Sequence, residues 1–230
     1  LQQNRKLVEN VFNNVYDKYD LMNDIMSFGA HRKWKKKLIT KMNPSKSQSL
    51  IDVGCGTGDI GKLYSDATKN KSKILSVDPN QNMIKKGKER LKDYKNISWE
   101  IGSGEKLNVL SNKFDFYTIS FGLRNTSNVE KTISEAYRVL KSGGRFFCLE
   151  FSKVDNSNLE FLYNQYSRLI PKIGKYVVGN SEPYEYLIKT INDFINQEEL
   201  LEVMKSKNFL NCSYANLSGG VVAIHSGWKV

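Results

Sequence analysis

Short apolar runs and longer segments with helical spacing of apolar residues follow one another along the middle of the chain. The short runs predict β-strands at 49–53, 73–77, 97–101, 114–120 and 145–151. The helical spacing predicts helices at 59–69, 80–92 and 129–140, with Asn80 or Asn82 as a cap and Lys141-Ser142-Gly143-Gly144 as a glycine stop. Strands and helices that alternate in this way predict a doubly wound α/β sheet.

The C-terminal part of the chain has a different pattern. A helix is predicted at 197–207 and is followed by two strands, at 211–217 and 221–228. Ser218-Gly219-Gly220 joins these strands and is a hairpin signal. The sheet is therefore expected to have seven strands and to end in an antiparallel hairpin.

Two segments depart from the βαβ alternation. Apolar residues in 5–20 have helical spacing, and a further helix is expected to end near Lys41. Residues 155–195 are rich in Tyr, Phe and Leu and are interrupted by Pro171 and Pro183. We expect one domain over 1–230, with an N-terminal helical cap at 1–44 and a helical lid at 155–195. The alternative for the second segment is ordinary packing of two helices on the sheet.

A glycine loop follows the first strand, in the stretch from Asp52 to Gly58. Its alternating glycines allow a sharp turn and the close approach of a ligand, and the helix after it begins with free N–H groups. Asp78 ends the second strand, 20 residues beyond Gly58, where an acidic residue binds the ribose of an adenine cofactor. A glycine-rich turn without a ligand is the alternative.

The order of the glycines distinguishes between two cofactor classes. A dinucleotide site needs G-x-G-x-x-G, but here Asp59 follows the third glycine, which comes one residue early. The D-x-G-x-G-x-G form is typical of S-adenosylmethionine-dependent methyltransferases. That cofactor has no phosphate and carries cationic groups, which suit the Asp52 carboxylate. We therefore predict S-adenosylmethionine, bound by Asp52, Gly54 and Gly56.

Composition adds possible partners. The net charge is +11, which points to nucleic acid or an anionic membrane, although richness in lysine on solvated faces is an equal explanation. The densest basic cluster, within 32–41, surrounds Trp34 and suits either a lipid interface or a helix that buries this tryptophan. It comprises Arg32, Lys33, Lys35, Lys36, Lys37 and Lys41.

The apolar runs, the cysteines and the first residue limit the possible functions less strongly. No apolar run reaches the roughly 18 residues of a transmembrane helix. Three widely separated cysteines, Cys55, Cys148 and Cys212, indicate a reducing compartment and no metal site. The chain begins at Leu1 rather than Met, so we expect a trimmed start.

Four stretches and the C-terminus resemble the ubiquinone/menaquinone-biosynthesis C-methyltransferases, from about residue 11 onwards. The stretches are 19–34 with Tyr-Asp-Leu-Met-Asn-Asp-Ile-Met-Ser, the glycine loop, 120–125 with Ser-Phe-Gly-Leu-Arg-Asn, and 138–152 with Arg-Val-Leu-Lys-Ser-Gly-Gly. The C-terminal stretch is 216–229. The resemblance implies the class I methyltransferase fold, which is Rossmann-like.

The same resemblance implies an activity and further cofactor contacts. The activity is methyl transfer from S-adenosylmethionine to a ring carbon of a polyprenylated benzoquinol or of demethylmenaquinol. The contacts are at Thr57, Asp78, Ser103, Gly104 and Ser120. The family usually has Asp or Asn where Ser103 stands, and Ala where Gly104 stands.

Ring methylation requires a nucleophilic carbon, which a phenolate in the ortho position provides. A phenol has a pKa of about 10, so a base or a cation must favour its ionised form. Arg124 follows the fourth strand, at the edge of the sheet where ligands bind, and we expect it to stabilise the phenolate. The alternative is a salt bridge that holds the loop. Tyr184 and His225 are weaker catalytic candidates, and His31 is expected to be structural.

Three other functions are compatible with parts of the sequence. Amino-directed nucleic-acid methyltransferases carry N/D-P-P-Y/F after the fourth strand, where this chain has 121–125 as Phe-Gly-Leu-Arg-Asn. None of the cysteines has the Pro-Cys context of cytosine C5 enzymes, so nucleic acid is disfavoured. A different small-molecule acceptor and a non-catalytic scaffold in a quinone-biosynthesis complex remain open, although the intact glycine loop disfavours a scaffold.

The lipid-like acceptor implies where the protein acts. A polyprenyl tail requires peripheral contact with a membrane surface. We expect a cytoplasmic protein at the inner membrane or, alternatively, a mitochondrial matrix protein. A homodimer or a larger complex is left open.

Overall fold

A computed structural model describes residues 24, 27, 29–154, 171 and 181–230, and its centre is a single mixed β-sheet. The strands are β1 Leu50–Val53, β2 Ile74–Asp78, β3 Ile97–Ile101, β4 Phe114–Ser120, β5 Leu140–Phe151, β6 Leu210–Leu217 and β7 Val222–Trp228. Their order across the sheet is β3-β2-β1-β4-β5-β7-β6. The pairs among β1 to β5 are parallel, whereas β7 is antiparallel to both β5 and β6. The predicted seven-stranded sheet with an antiparallel end is confirmed.

Helices connect the strands and cover both faces of the sheet. They are α1 Ala30–Met42, α2 Asp59–Ala67, α3 Gln81–Arg90, α4 Val129–Val139, α5 Glu182–Asp193 and α6 Gln197–Ser206. Short 3₁₀ turns lie at Leu123–Asn125 and Ser218–Gly220. The Asn80 side chain accepts hydrogen bonds from the backbone N–H groups of Asn82 and Met83, so the predicted cap of α3 is Asn80.

Consecutive residues of the central strands enter separate apolar clusters, as the pleat of a sheet requires. Leu50 and Phe116 belong to a cluster that includes buried residues of α1, α2 and α5. Ile51 and Tyr117 belong to a second cluster, with buried residues of α4 and α6. Both faces are thus covered, which explains why these strands are continuously apolar.

The predicted glycine stop after α4 is wrong. The helix ends at Val139, and Leu140 is already extended (φ −72°, ψ 143°) and begins β5. Gly143 (φ +76°) lies inside this strand. Its N–H donates to the Lys229 carbonyl at 2.7 Å, and the Lys229 N–H donates to the Gly144 carbonyl at 2.9 Å. Gly143 and Gly144 thus pair with Lys229, which follows β7, and do not cap α4.

The basic cluster of α1 separates into a buried part and an exposed part. Trp34 is only 6% exposed, donates Nε1–H to Ser218 Oγ at 3.0 Å and packs near Phe121 and Phe151. Lys35 is buried as well. The interpretation that α1 buries its tryptophan is confirmed. The other members are exposed: Arg32, Lys33, Lys36, Lys37 and Lys41.

Several expectations fall outside the described residues. These are residues 1–23, 25, 26 and 28 of the cap, which include the predicted helix at 5–20, and residues 155–170 and 172–180 of the lid. Within the rest of the lid, α5 buries Tyr184 and Leu187 against the first cluster. The division into one domain, a cap and a lid stays a prediction. None of the helices in the described ranges is long and apolar enough to cross a membrane.

Replacing Gly87 with Ala should destabilise the fold. A Cβ atom at this position of α3 would lie 2.5 Å from the Trp99 ring. Overpacking costs about 1–3 kcal/mol, and the roughly 1 kcal/mol that alanine gains in a helix does not offset it fully. Thermal denaturation should show a lower Tm for Gly87→Ala and an unchanged one for Lys88→Ala, at an exposed position of the same helix. A Gly87→Ala Tm at or above that of the parent would contradict the packing, and a Trp99→Leu background should remove the penalty.

Candidate active site

A pocket opens at the carboxyl edge of the sheet, between α1 and the ends of β1 and β4. Strands β1, β2 and β4 are parallel neighbours, so their carboxyl ends meet there. The pocket is lined by Lys35, Asp52, Gly54, Cys55, Thr57, Asp59, Ile60 and Ser120. The predicted glycine loop and the predicted Ser120 thus lie at one site.

The glycine loop has a backbone that side chains disfavour. Gly54, Gly56 and Gly58 have φ values of +63°, +55° and +88°. A Cβ atom at Gly54 would lie 3.6 Å from the Gly122 Cα, which shows how closely the loop approaches the turn after β4. Gly58 precedes α2 without a side-chain cap, so the first N–H groups of that helix receive no capping side chain.

Asp52 is a buried carboxylate with one free oxygen. Its Oδ1 accepts a hydrogen bond from Thr118 Oγ1 at 2.8 Å, while Oδ2 has no hydrogen-bond partner among the described residues. Burial raises the pKa of Asp52 to about 7. The buried Ser120 Oγ also lacks a partner within the described part of the chain. Two unsatisfied polar atoms in one pocket indicate a ligand that carries hydrogen-bond donors.

Asp78 holds the glycine loop in place. One carboxylate oxygen accepts from the Gly56 N–H at 2.8 Å and the other from the Asn80 N–H at 2.9 Å. Burial raises the pKa of Asp78 to about 6. A carboxylate has about four acceptor positions, so a ribose contact remains compatible with these two bonds. The predicted ribose role stays a prediction.

A charged cluster joins α1, α2 and α3 beside the pocket. Lys35 Nζ donates to Asp59 Oδ2 at 2.8 Å, and Arg90 Nη2 donates to Asp59 Oδ1 at 2.6 Å. Burial alone would raise the pKa of Asp59, but the two cations hold it well below its usual range. Arg90 also donates to the Thr57 carbonyl at 2.8 Å. Sequence reasoning grouped Lys35 with the surface lysines and missed its place in this pocket.

Ser103 and Gly104 lie in the loop after β3 and outside the pocket lining. Lys106 N–H donates to the Ser103 carbonyl at 3.2 Å. A Cβ atom at Gly104 would lie 3.0 Å from Thr132 Cγ2 and 3.3 Å from Val53 Cγ1, so the loop passes beside the end of β1. Their cofactor contacts stay predictions.

Arg124 is held in a buried ion pair, of which the sequence predicts the possibility but not the partner. Its Nη1 donates to Glu150 Oε1 at 2.6 Å and to the Phe121 carbonyl at 2.7 Å. The side chains of Arg124 and Glu150 are 4% and 1% exposed. The guanidinium carbon lies 5.3 Å from the centre of the Phe151 ring. These contacts match the loop-holding alternative, and a catalytic role of Arg124 stays a prediction.

The two weaker catalytic candidates lie in different surroundings. Tyr184 is fully buried in the first apolar cluster, and its hydroxyl has no partner among the described residues. His225 lies on β7, where Nε2 is 3.0 Å from the Gln197 carbonyl, so it carries a proton and donates. Burial lowers the pKa of His225 to about 4. Tyr184 is therefore near the Trp34 side of the sheet, whereas the contacts of His225 are with the start of α6.

His31 has the contacts expected of a structural residue. It is buried, and its Nδ1 lies 3.0 Å from Ser27 Oγ, one helical turn earlier. The backbone N–H of His31 also donates to Ser27 Oγ, at 3.2 Å. These contacts fix the start of α1, which carries Lys35 one turn further on.

Comparisons with known proteins agree with this geometry. The sequence model of the ubiE/COQ5 methyltransferase family matches residues 1–229. The ubiquinone/menaquinone biosynthesis C-methyltransferase UbiE of Rickettsia bellii is 44% identical over 235 residues, covering 99% of this chain and 94% of its own. The mitochondrial 2-methoxy-6-polyprenyl-1,4-benzoquinol methylase of Gallus gallus is 40% identical, covering 99% of this chain and 86% of its own.

Solved structures are similar in fold. An S-adenosylmethionine-dependent methyltransferase from Thermotoga maritima superposes with a TM-score of 0.68 at 19% identity, covering 96% of this chain and 99% of its own. Phosphoethanolamine N-methyltransferase 2 of Haemonchus contortus, solved in complex with S-adenosyl-L-methionine, gives 0.63 at 14% identity, covering 85% and 52%. These similarities confirm the predicted methyltransferase fold.

Replacing Asp52 with Asn should change how stability depends on pH. The folded state keeps a proton on Asp52 up to about pH 7, whereas the unfolded chain releases it near pH 4. The parent therefore loses stability as pH rises through this window, and the variant does not. Between pH 5 and pH 8, the free energy of unfolding of Asp52→Asn should rise relative to the parent by about 2–3 kcal/mol.

Urea denaturation at several pH values measures this difference. Asp93→Asn, at an exposed position, is the matched control and should follow the parent at every pH. A constant difference between Asp52→Asn and the parent from pH 5 to pH 8 would show that Asp52 titrates normally.

Proposed function

We propose a function on the premise that the chain belongs to the ubiE/COQ5 methyltransferase family. It transfers a methyl group from S-adenosylmethionine to a ring carbon of a polyprenylated benzoquinol or of demethylmenaquinol, in ubiquinone or menaquinone biosynthesis. The observation that carries the proposal is the pocket at the glycine loop, in which Asp52 Oδ2 and Ser120 Oγ lack partners among the described residues. The names of the relatives support the acceptor class.

The residues of the pocket fit S-adenosylmethionine. When bound, this cofactor supplies a methyl group on a sulfonium sulfur, which is a good leaving group. Gly54 and Thr57, which line the pocket, would contact it together with Gly56 of the same loop, and the free oxygen of Asp52 would pair with a cationic group. We assign the ribose to Asp78 and the adenine to the loop with Ser103 and Gly104, while Ser120 offers a hydroxyl.

The acceptor ring needs an apolar surface beside a positive charge. Trp34, Phe121 and Phe151 pack together, with ring centres 5.1–6.3 Å apart, and Arg124 lies over Phe151. We assign the quinol ring to this surface and the nascent phenolate to Arg124, whose Nε has no partner in the described structure. Glu150 orients the guanidinium, so Arg124 acts as a fixed donor and not as a base.

The polyprenyl tail places the protein beside a membrane. We propose peripheral contact through the exposed cations of α1, because cationic side chains are attracted to anionic lipid surfaces. The relatives include a bacterial enzyme and a mitochondrial one. We therefore propose the inner membrane, on its cytoplasmic face or on its mitochondrial matrix face.

The purified protein should methylate reduced quinols and leave oxidised quinones unmodified. Only the reduced ring has a hydroxyl whose loss of a proton makes the ortho carbon nucleophilic. Four reactions are compared by mass spectrometry, each with S-adenosylmethionine that carries a deuterated methyl group. The acceptors are the two quinols with short tails and their two oxidised forms. We expect a labelled methyl group on at least one quinol and on neither quinone.

The same assay distinguishes the possible failures. Binding of S-adenosylmethionine without methylation of either quinol would favour a scaffold or another acceptor. Complementation of separate ubiquinone- and menaquinone-methylation mutants, followed by quinone mass spectrometry, then identifies the acceptor that is used in cells.

The role of Arg124 requires a paired substitution. Arg124→Ala alone leaves Glu150 charged and buried, which costs about 3–5 kcal/mol of stability and confuses activity with folding. The double variant Arg124→Gln/Glu150→Gln leaves no buried charge unpaired. If Arg124 stabilises the phenolate, kcat of this double variant should fall about 100-fold while the Kd for S-adenosylmethionine stays within about threefold of the parent.

Glu150→Gln is the comparison variant, because it keeps the guanidinium and an amide oxygen that can accept from it. It leaves the buried guanidinium without its counter-ion, so each variant is assayed at a temperature at which circular dichroism shows it folded, and Glu150→Gln should then retain more turnover than the double variant. Equal losses in Glu150→Gln and in the double variant would mean that the ion pair only holds the loop, and lost cofactor binding in the double variant would refute the assignment of Arg124 to the acceptor.

A further inference from the structure

Lys35 is a buried cation whose bonding capacity is mostly unused. Its side chain is 9% exposed, and its ammonium group makes one hydrogen bond in the described part of the chain, to Asp59. An ammonium group has three donors, and burying a charge is costly unless its donors are satisfied. The other two donors have no hydrogen-bond acceptor among the described residues, and Lys35 lines the pocket. A lysine in this position is arranged for an anionic ligand group.

The charges around Lys35 leave room for one further anion. Asp59 is shared between Lys35 and Arg90, at 2.8 Å and 2.6 Å. Lys35, Asp59 and Arg90 together carry a net charge of +1, while burial raises the pKa values of the nearby Asp52 and Asp78 to about 7 and about 6. The exposed fractions of the Lys35 and Asp59 side chains, 9% and 28%, mean that water screens this excess only in part.

The same pocket offers a complementary anionic group. Asp52 Oδ2 lacks a partner among the described residues, and Asp52 lies within electrostatic range of Lys35. The two groups are on different elements, β1 and α1, and both line the pocket. A ligand that carries a carboxylate and an ammonium on one carbon would satisfy both. That description fits the amino-acid end of S-adenosylmethionine and does not fit its adenosine end.

We propose that Lys35 binds the α-carboxylate of the cofactor, while Asp52 binds its α-ammonium group. This inference rests on the proposed function and adds a cofactor-binding residue from α1, outside the glycine loop. It also assigns α1 a second task, because the helix that buries Trp34 beside the acceptor surface then holds the cofactor as well. Lys35 is a binding residue in this proposal and takes no part in proton transfer.

Calorimetric binding to two ligands tests the proposal without any turnover. The ligands are S-adenosylmethionine and its decarboxylated form, which differ only in the carboxylate. The parent should bind S-adenosylmethionine about 10- to 100-fold more tightly, the range expected for charge-assisted hydrogen bonds. Lys35→Met should lose most of that difference by weakening S-adenosylmethionine alone, and Lys35→Arg should restore part of it.

Lys37→Met is the matched control, since it removes the same charge from an exposed position of α1. It should leave both affinities within about twofold of the parent, because an exposed charge is screened by solvent. Circular dichroism and Tm verify that each variant is folded. If Lys35→Met does not fold, Lys35→Gln replaces it, because glutamine can still donate to Asp59 but carries no charge, and it should lose the same difference between the two affinities.

The outcomes separate this proposal from the proposed function. Equal parent affinities for the two ligands would overturn the role of Lys35 and leave the methyltransferase function intact. A Lys35→Met variant that weakens both ligands equally would also overturn it, because Lys35 would then act only through Asp59 and the loop. A parent that binds neither ligand would overturn the proposed function and this inference together.

Discussion

The register of β1 between β2 and β4 is the constraint on which the site depends. Asp52 pairs with Ser76 on one side and with Thr118 on the other, and the Thr118 hydroxyl then reaches the Asp52 carboxylate at 2.8 Å. A slip of one residue would turn Asp52 to the opposite face of the sheet and remove this bond. The register also brings Gly54, after β1, beside Gly122, after β4. The loop and the acceptor side thus depend on the same backbone pairing.

Asp52, Asp59 and Asp78 lie around the glycine loop, and each of these three carboxylates is stabilised in a different way. Asp78 accepts two backbone N–H bonds, Asp59 is shared by two cations, and Asp52 has one hydroxyl bond and one free oxygen. Only Asp52 therefore has both a raised pKa and an unsatisfied atom in the pocket. A cationic ligand would supply what the protein leaves out, because it favours the ionised form that burial disfavours.

Most of the fold could be predicted from the sequence, because it is encoded locally. Apolar runs and helical spacing predict the strands and helices of the sheet region to within two residues, apart from the start of β5, and the glycine loop is a contiguous motif. Gly143 and Gly144 were misinterpreted because their partner, Lys229, lies at the other end of the chain. Glu150 was missed for the same reason, since 26 residues separate it from Arg124. Pairing at such distances leaves no periodic signal.

Lys35 was missed although a local signal existed. The buried positions of α1 follow helical spacing, and most of them are apolar. They are His31, Trp34, Lys35, Leu38, Ile39 and Met42. A lysine within the apolar stripe of a helix differs from the lysines around it. Composition alone treats the whole cluster as one solvated face, and only the position of Lys35 within the apolar stripe distinguishes it.

The turn after β4 combines two costly features that explain each other. Phe121 has a φ of +56°, which a bulky residue adopts at a cost of order 1–3 kcal/mol. Its N–H donates to the Leu149 carbonyl at 2.7 Å, and its carbonyl accepts from Arg124. A buried ion pair such as Arg124 with Glu150 contributes little net stability compared with apolar packing. Stability alone therefore does not account for either feature. Together they hold the Phe121 ring and the Arg124 guanidinium beside the same Phe151 ring, at 5.1 Å and 5.3 Å from its centre, which is the arrangement that a planar, ionising acceptor requires.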